Sequence, residues 1–253
     1  MTDNGSRITG LAYQDAHIHI QDADSSVLQT EDVGRFFCCA TSYADWQIVK
    51  SFSEKDDRVI PFVGIHPWYI KTQDDVDGYE ERLREALINC ACGVGEVGLD
   101  GTDKASPSEW QEEIFRISLM IAKDLKRPVL IHCVKRWDRL FAHLEQVGAH
   151  NLRFCVHGFT ASREILDRII ALGGYVSLSF RGIEKINRLV AVPEDKLLIE
   201  TDWPYVPAQA FGKKYGMVLK ETYQRIAGAR QVTREELQES TFNNAAAFMK
   251  GLL

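Results

Sequence analysis

Eight short apolar runs recur along these 253 residues, each followed by a longer amphipathic or polar stretch, and this alternation constrains the fold more than any single motif. The runs cover 13–20, 35–41, 59–65, 93–99, 128–133, 152–158, 174–180 and 196–201. The clearest helix is predicted over 108–126, where Trp110, Ile114, Ile117, Ile121 and Leu125 recur at helical spacing. It opens at Ser-Pro-Ser-Glu-Trp and stops before Pro128. Further helices are expected over 43–54, 77–90, 136–147, 162–172, 215–229 and 233–250, with no repeats, low-complexity tracts or long linkers between them. Eight strands alternating with helices over this length predict a (β/α)8 TIM-like barrel occupying 1–253 as a single domain. A doubly wound parallel sheet is the alternative, because strand order is not written in one sequence.

Composition narrows what such a domain does. The net charge of −6 gives no global attraction to nucleic acid or anionic membrane, which argues against a coat-like nucleic-acid binder but not against an enzyme with a local basic rim. No apolar run approaches the ~20 residues needed to span a bilayer. The polar N-terminus, MTDNGSRITGLAYQ, has no signal-peptide core, so a cytoplasmic protein is expected. Cys38, Cys39, Cys133 and Cys155 lie in apolar runs, as small core residues do. The Cys90-Ala-Cys92 pair is too short and unpartnered for a zinc knuckle and is read as packing. His143 and His150, on or after a helix, are assigned to the surface.

Six metal-competent side chains punctuate the runs: His17 and His19, Glu96, His132, His157, and Asp202 just beyond the last one. Neutral imidazoles and carboxylates suit zinc, manganese and similar divalent ions. Strand alternation puts Asp15, His17 and His19 on one face and Ala16, Ile18 and Ile20 on the other. By the same parity His132 opposes Val129 and Ile131, His157 opposes Phe154 and Val156, and Glu96 opposes Val97 among glycines. In a barrel these polar sets point inward. An inward Glu or His without an ion carries a desolvation cost of several kcal/mol, which metal ligation relieves.

The order and flanking words of these residues, DAHIHI, GIHPWY, GEVGLD, RPVLIHC, VHGFTAS and IETDWPY, resemble the TatD family of metal-dependent hydrolases, within the wider amidohydrolase group. The resemblance runs from about residue 13 to the C-terminus. It implies a TIM-like barrel with a one- or two-ion centre. His17, His19 and Asp202 would hold one ion, His132 and His157 the second, and Glu96 would bridge them. The chain departs from the family pattern at Cys133-Val134-Lys135-Arg136, at Gly101-Thr102-Asp103 after GLD, and at Gly158 after the fourth histidine, and it lacks the expected arginine after Tyr205. These departures leave the ligands intact and bear on substrate choice.

Two such ions lower the pKa of a shared water and polarise a phosphoryl or carbonyl oxygen. Asp202 is of the right type to act as general base, with Glu96 the other catalytic carboxylate. His66, followed by the turn-forming Pro67, is expected to contact a substrate phosphate. Trp68 and Tyr69 stack on a base or pack the loop. Lys135, Arg136 and Arg181 follow strands five and seven, at the face where barrels place active sites, and are expected as candidate binders of substrate phosphate. Glu200 is expected to tether a loop or orient a ligand. The leading expectation is a phosphodiester-cleaving hydrolase, a deoxyribonuclease by resemblance, acting on DNA or another phosphodiester with zinc, manganese, magnesium or nickel. The alternatives are an amide, ester or lactone hydrolase with the same centre and a metal-stabilised interaction protein.

Overall fold

The structure is a computed structural model that describes residues 12–181, 191–207 and 210–252. Eight parallel strands follow one another around a single sheet in chain order: β1 Tyr13–Ile18, β2 Val33–Cys39, β3 Val59–Val63, β4 Gly93–Asp100, β5 Val129–Val134, β6 Phe154–Val156, β7 Tyr175–Leu178 and β8 Leu197–Ile199. Sequential order excludes the doubly wound alternative, whose strand order reverses. The wall closes where β1 meets the segment after β8: His19 N–H donates to the Trp203 carbonyl (2.8 Å) and Asp202 N–H to the His17 carbonyl (3.0 Å). The first and last predicted ligands are therefore joined by the seam itself.

Helices pack outside this wall: α1 Tyr43–Ser53, α2 Gln73–Val76, α3 Tyr79–Ile88, α4 Ser108–Asp124, α5 Trp137–Val147, α6 Arg163–Ala171, α7 Tyr215–Arg230 and α8 Arg234–Phe248. Local chemistry sets their ends. Ser42 with Asp45 and Thr233 with Glu236 form capping boxes at α1 and α8. A left-handed Gly148 terminates α5. The helix expected over 77–90 begins later, at Tyr79, because Gly78 takes φ 75° and separates it from the short α2. Two 3-10 turns, Ile20–Asp22 and Ser25–Gln29, connect β1 to β2 and have no periodic signal in the sequence. No helix among the described residues is long and apolar enough to cross a membrane.

Two apolar layers follow from strand alternation. The outer one holds Phe36, Val97, Ile131 and Val156 against the helices. The inner one holds Phe37, Phe62, Leu130, Cys155, Tyr175 and Leu198 with Phe248 of α8. Phe248 lies 6.0, 6.4 and 5.5 Å from the rings of Phe37, Phe62 and Tyr175, on β2, β3 and β7, so α8 plugs the N-terminal end of the barrel. This leaves the opposite, C-terminal end for polar side chains.

Three expectations are corrected. Asp15 does not share a face with His17: the β1–β2 register breaks between Asp15 and Ile18, Ala16 joins the inner layer, and Asp15 turns outward to Thr201 and to Tyr215 of α7. Burial raises its carboxyl to about 7. His143 is buried between α4 and α5 rather than on the surface, with its ring 5.6 Å edge-on to Phe115 and Nε2 3.5 Å from Glu112. Helical periodicity places it with Leu140 and Leu144 on the core face. Cys90 and Cys92, expected as packing residues, are joined in a disulfide, whereas Cys38, Cys39, Cys133 and Cys155 are free.

Candidate metal centre

The six predicted ligands meet at the C-terminal end of the barrel around Glu96. Its Oε2 lies 3.2 Å from His17 Nε2 and 3.5 Å from His19 Nε2. Its Oε1 lies 2.8 Å from His157 Nε2 and 3.1 Å from His132 Nδ1. Asp202 Oδ1 lies 3.5 Å from His19 Nε2 and 3.9 Å from His17 Nε2. Local backbone serves this geometry. Gly98 lets β4 approach β5 so closely that a Cβ there would stand 1.9 Å from the His132 carbonyl. Asp202 takes the left-handed φ of 58°, uncommon without glycine, which aims its carboxylate back at β1.

What lies behind two of the imidazoles, His19 and His132, fixes which nitrogen carries the proton. His19 Nδ1 is 2.8 Å from the Cys39 carbonyl, which only accepts, so Nδ1 donates and Nε2 is bare. His132 Nε2 faces Asp100 Oδ2 at 3.0 Å, and Asp100 is held ionised well below its usual range: burial pushes it up, but bonds from His132 and Thr102 prevail. His132 Nδ1 is then bare as well. His157 Nδ1 points at Glu200 Oε1, 3.5 Å away, and Glu200 is pinned by Ser177. His17 Nδ1 lies 3.4 Å from Cys39 Sγ. Lone pairs thus converge from both sides: His17 and His19 Nε2 are 3.1 Å apart, and His132 Nδ1 and His157 Nε2 are 3.3 Å apart. Ring nitrogens and carboxylate oxygens this close in a buried site favour a cation between them.

The electrostatics agree. Burial alone would raise the Glu96 carboxyl, but its imidazole neighbours, His157 foremost, hold it well below the usual range. Burial would lower His157, yet Glu96 and Glu200 on either side raise it well above its ordinary value, so this position attracts positive charge, whether a proton or a metal ion. Groups able to hold an ion are His17–His19–Asp202, His17–Glu96–His157 and His66–Glu96–His132.

His66 behaves differently from the others. The Trp68 backbone N–H donates to its Nδ1 at 3.1 Å, so Nε2 carries the proton. Burial lowers this imidazole to about 3, keeping it neutral. His66 therefore presents an N–H donor, not a lone pair, beside Glu96 and His132, at 3.6 and 3.3 Å. That suits contact with an anionic oxygen.

These groups floor an open cavity of about 640 Å³ whose walls include Trp68, Tyr69, Lys104, Arg181, Tyr205 and Phe211. Trp68 belongs to the wall, but its indole N–H is committed to Asp100 Oδ2 at 2.8 Å. Arg181 reaches the Tyr205 carbonyl (2.8 Å) and Asp202 Oδ2 (3.9 Å). Arg136 does not line the cavity; it packs beside Gly101, and the exposed Lys135 does not line it either. The basic group on the β4 side is Lys104, which sequence reasoning missed, with its ammonium 5.0 Å from the Trp68 ring. Asp100 was missed too, although it shares strand parity with Glu96 two pairs of residues earlier.

Comparison with known proteins gives a consistent picture. A family described as TatD related DNase matches residues 14–250. The chain is 27% identical to an uncharacterised metal-dependent hydrolase, YcfH, of Escherichia coli K12, across 97% of this chain and 94% of that one. It is 32% identical to the 3'-5' ssDNA/RNA exonuclease TatD of Pectobacterium atrosepticum, across 72% of this chain and 74% of that one. In fold it is similar to the crystal structure of YjjV, a TatD homologue from Escherichia coli, with a TM-score of 0.79 at 22% identity, covering 93% and 97% of the two chains. With the predicted ligands gathered at one end of an eight-stranded barrel and the family match covering nearly all of it, the chain belongs to the TatD-related DNase family of metal-dependent hydrolases.

Proposed function

We propose that this enzyme hydrolyses phosphodiester bonds of single-stranded nucleic acid, using divalent ions held by His17, His19 and Asp202 and by His132 and His157, with Glu96 between them. The observation that carries this reading is the pairing of converging lone pairs with a neutral His66 N–H donor on the cavity floor. A bound divalent ion supplies an activated water and Lewis-acid polarisation of the substrate. The chain's own residues supply the rest. His66 Nε2–H donates to a non-bridging phosphate oxygen. Lys104 and Arg181 attract and place the phosphodiester backbone at the mouth. Asp202 is the candidate general base: Oδ1 faces the histidines, whereas Oδ2 turns toward Arg181 and the cavity, and its side chain is 20% exposed against 3% for Glu96. Relatives named as single-strand exonucleases support the substrate class.

Zinc, manganese, magnesium and nickel are all compatible with these donors. Elemental analysis of the purified protein identifies the ion, and a chelator should abolish turnover. Asp202→Asn should lower nucleolytic kcat severely, by roughly two to four orders of magnitude for loss of a general base, while leaving unfolding intact. Undiminished turnover in that variant overturns the assignment. An ester, amide or lactone substrate in place of nucleic acid is distinguished by assaying linear single-stranded DNA, RNA and acyl substrates side by side.

A further inference from the structure

Two tyrosines cross the cavity mouth directly above the metal centre. Tyr69 follows β3 and Tyr205 follows β8, each three residues beyond a residue of the site. Each is held in a turn closed onto that residue: Tyr69 N–H donates to the His66 carbonyl (2.8 Å) and Tyr205 N–H to the Asp202 carbonyl (2.7 Å). Their rings stand edge-on to site imidazoles, Tyr69 at 5.9 Å from His66 and Tyr205 at 5.3 Å from His19. Both rings line the same cavity with the Tyr69 phenol a neighbour of the Tyr205 phenol, which donates to Asp22 Oδ2 at 3.1 Å. Lys71 lies 5.3 Å from the Tyr69 ring. Both residues are surface-exposed, at 38% and 45%, so core packing does not account for them.

Around the wall β8, β1, β2 and β3 are neighbours, so these two residues face each other across the ends of β1 and β2, beside His19 and Thr41 of the same cavity. Of the exposed cations of the cavity, Lys104 after β4 stands away from this contact and Arg181 after β7 borders it at the Tyr205 carbonyl. A nucleic-acid strand can enter past them and reach the centre. To continue, it would have to pass between the tyrosine rings and the histidines they pack against.

We propose that the Tyr69–Tyr205 bridge is the specificity element that limits this enzyme to strand termini: it turns a groove into a dead end, so that only a free end, and no internal phosphodiester, reaches the centre. This rests on the nucleic-acid reading above and assigns the residues that impose end recognition. The test compares linear and covalently closed circular single-stranded DNA of the same sequence, using metal-loaded wild type and Tyr69→Ala/Tyr205→Ala. The expected result is wild type that shortens the linear strand and spares the circle, and a variant that nicks the circle and yields internal fragments from the linear strand. A merely structural role would lower both activities and create neither. If the double variant is inactive on both substrates, the single Tyr69→Ala and Tyr205→Ala proteins are read in the same way. Wild type that cuts circles as fast as linear strands overturns the proposal without any variant. Variants that still degrade ends but spare circles overturn it as well. Wild type that cleaves neither DNA overturns the nucleic-acid reading instead.

Discussion

Asp100→Asn tests whether an outer carboxylate sets the inner lone pair. Asp100 Oδ2 receives His132 Nε2–H at 3.0 Å and Trp68 Nε1–H at 2.8 Å, while Oδ1 receives the Thr102 backbone N–H at 2.6 Å. All three neighbours donate, and only a carboxylate accepts from both sides. An asparagine amide has two orientations here. With its oxygen toward His132, its NH2 opposes the Thr102 N–H, and His132 keeps a neutral acceptor in place of a charged one, with a bond roughly half as strong. With its NH2 toward His132, that ring must give up its Nε2 proton and carry it on Nδ1, the nitrogen 3.1 Å from Glu96. Trp68 is then left without an acceptor.

Either orientation makes His132 a poorer ligand. Loss of such a partner weakens metal binding about 10–100-fold, which corresponds to about 1.4–2.7 kcal/mol. The unsatisfied donor costs a further ~1–3 kcal/mol of folding stability. Competition against a chromogenic chelator resolves the two ions: the one held by His132 and His157 should weaken, and the one held by His17, His19 and Asp202 should not. Unchanged affinity for both ions in a folded Asp100→Asn protein would refute the claim that the outer carboxylate fixes the imidazole's tautomer.

Other consequences are quicker to state. Gly98→Ala puts a methyl 1.9 Å from the His132 carbonyl, so β4 and β5 must part; thermal unfolding should show a loss of more than about 4 kcal/mol, or no soluble protein. Phe248→Ala removes the ring shared by β2, β3 and β7, and urea unfolding should register a loss of about 3–5 kcal/mol. His143 gives a pH dependence away from the metal centre. Burial lowers its pKa below the ordinary 6.5 despite Glu112, so below that pH the unfolded chain takes up a proton that the folded chain does not. Its contribution is intact above pH 6.5 and falls as pH drops toward the folded-state value. Denaturation of His143→Phe at neutral and mildly acidic pH should therefore show a smaller acid-side loss than wild type, and an equal loss would remove His143 as a cause.

How much of this was legible beforehand depends on what fixes each feature. Strands buried on both faces and helices with one apolar stripe write their periods into the chain, so all eight strands and most helix limits were readable from the order of apolar and polar residues. The convergence of the proposed ligands was readable because each sits on or beside a strand end, and parity served for Glu96, His132 and His157. Parity failed at Asp15, where a register break that no residue type announces turns one carboxylate out of the barrel. The layer behind the ligands was read only in part: Glu200, expected to tether a loop or orient a ligand, lies beside His157, whereas Cys39 and Asp100 act on imidazoles 20 and 32 positions distant in the chain, and nothing local marks either as facing one. The rim was the least legible part. Arg136 and Lys104 are both basic residues following strands, and only the path of each loop decides that Lys104 faces the cavity while Arg136 lies against Gly101. The Tyr69–Tyr205 contact is of the same kind, since it joins loops 136 residues apart that become neighbours only because the barrel closes between β8 and β1. Closure is therefore what the substrate meets. The seam that brings Asp202 to His17 and His19 also brings Tyr205 to the side of Tyr69, so on the proposed reading the bonds that complete the metal centre also set how a strand would approach it.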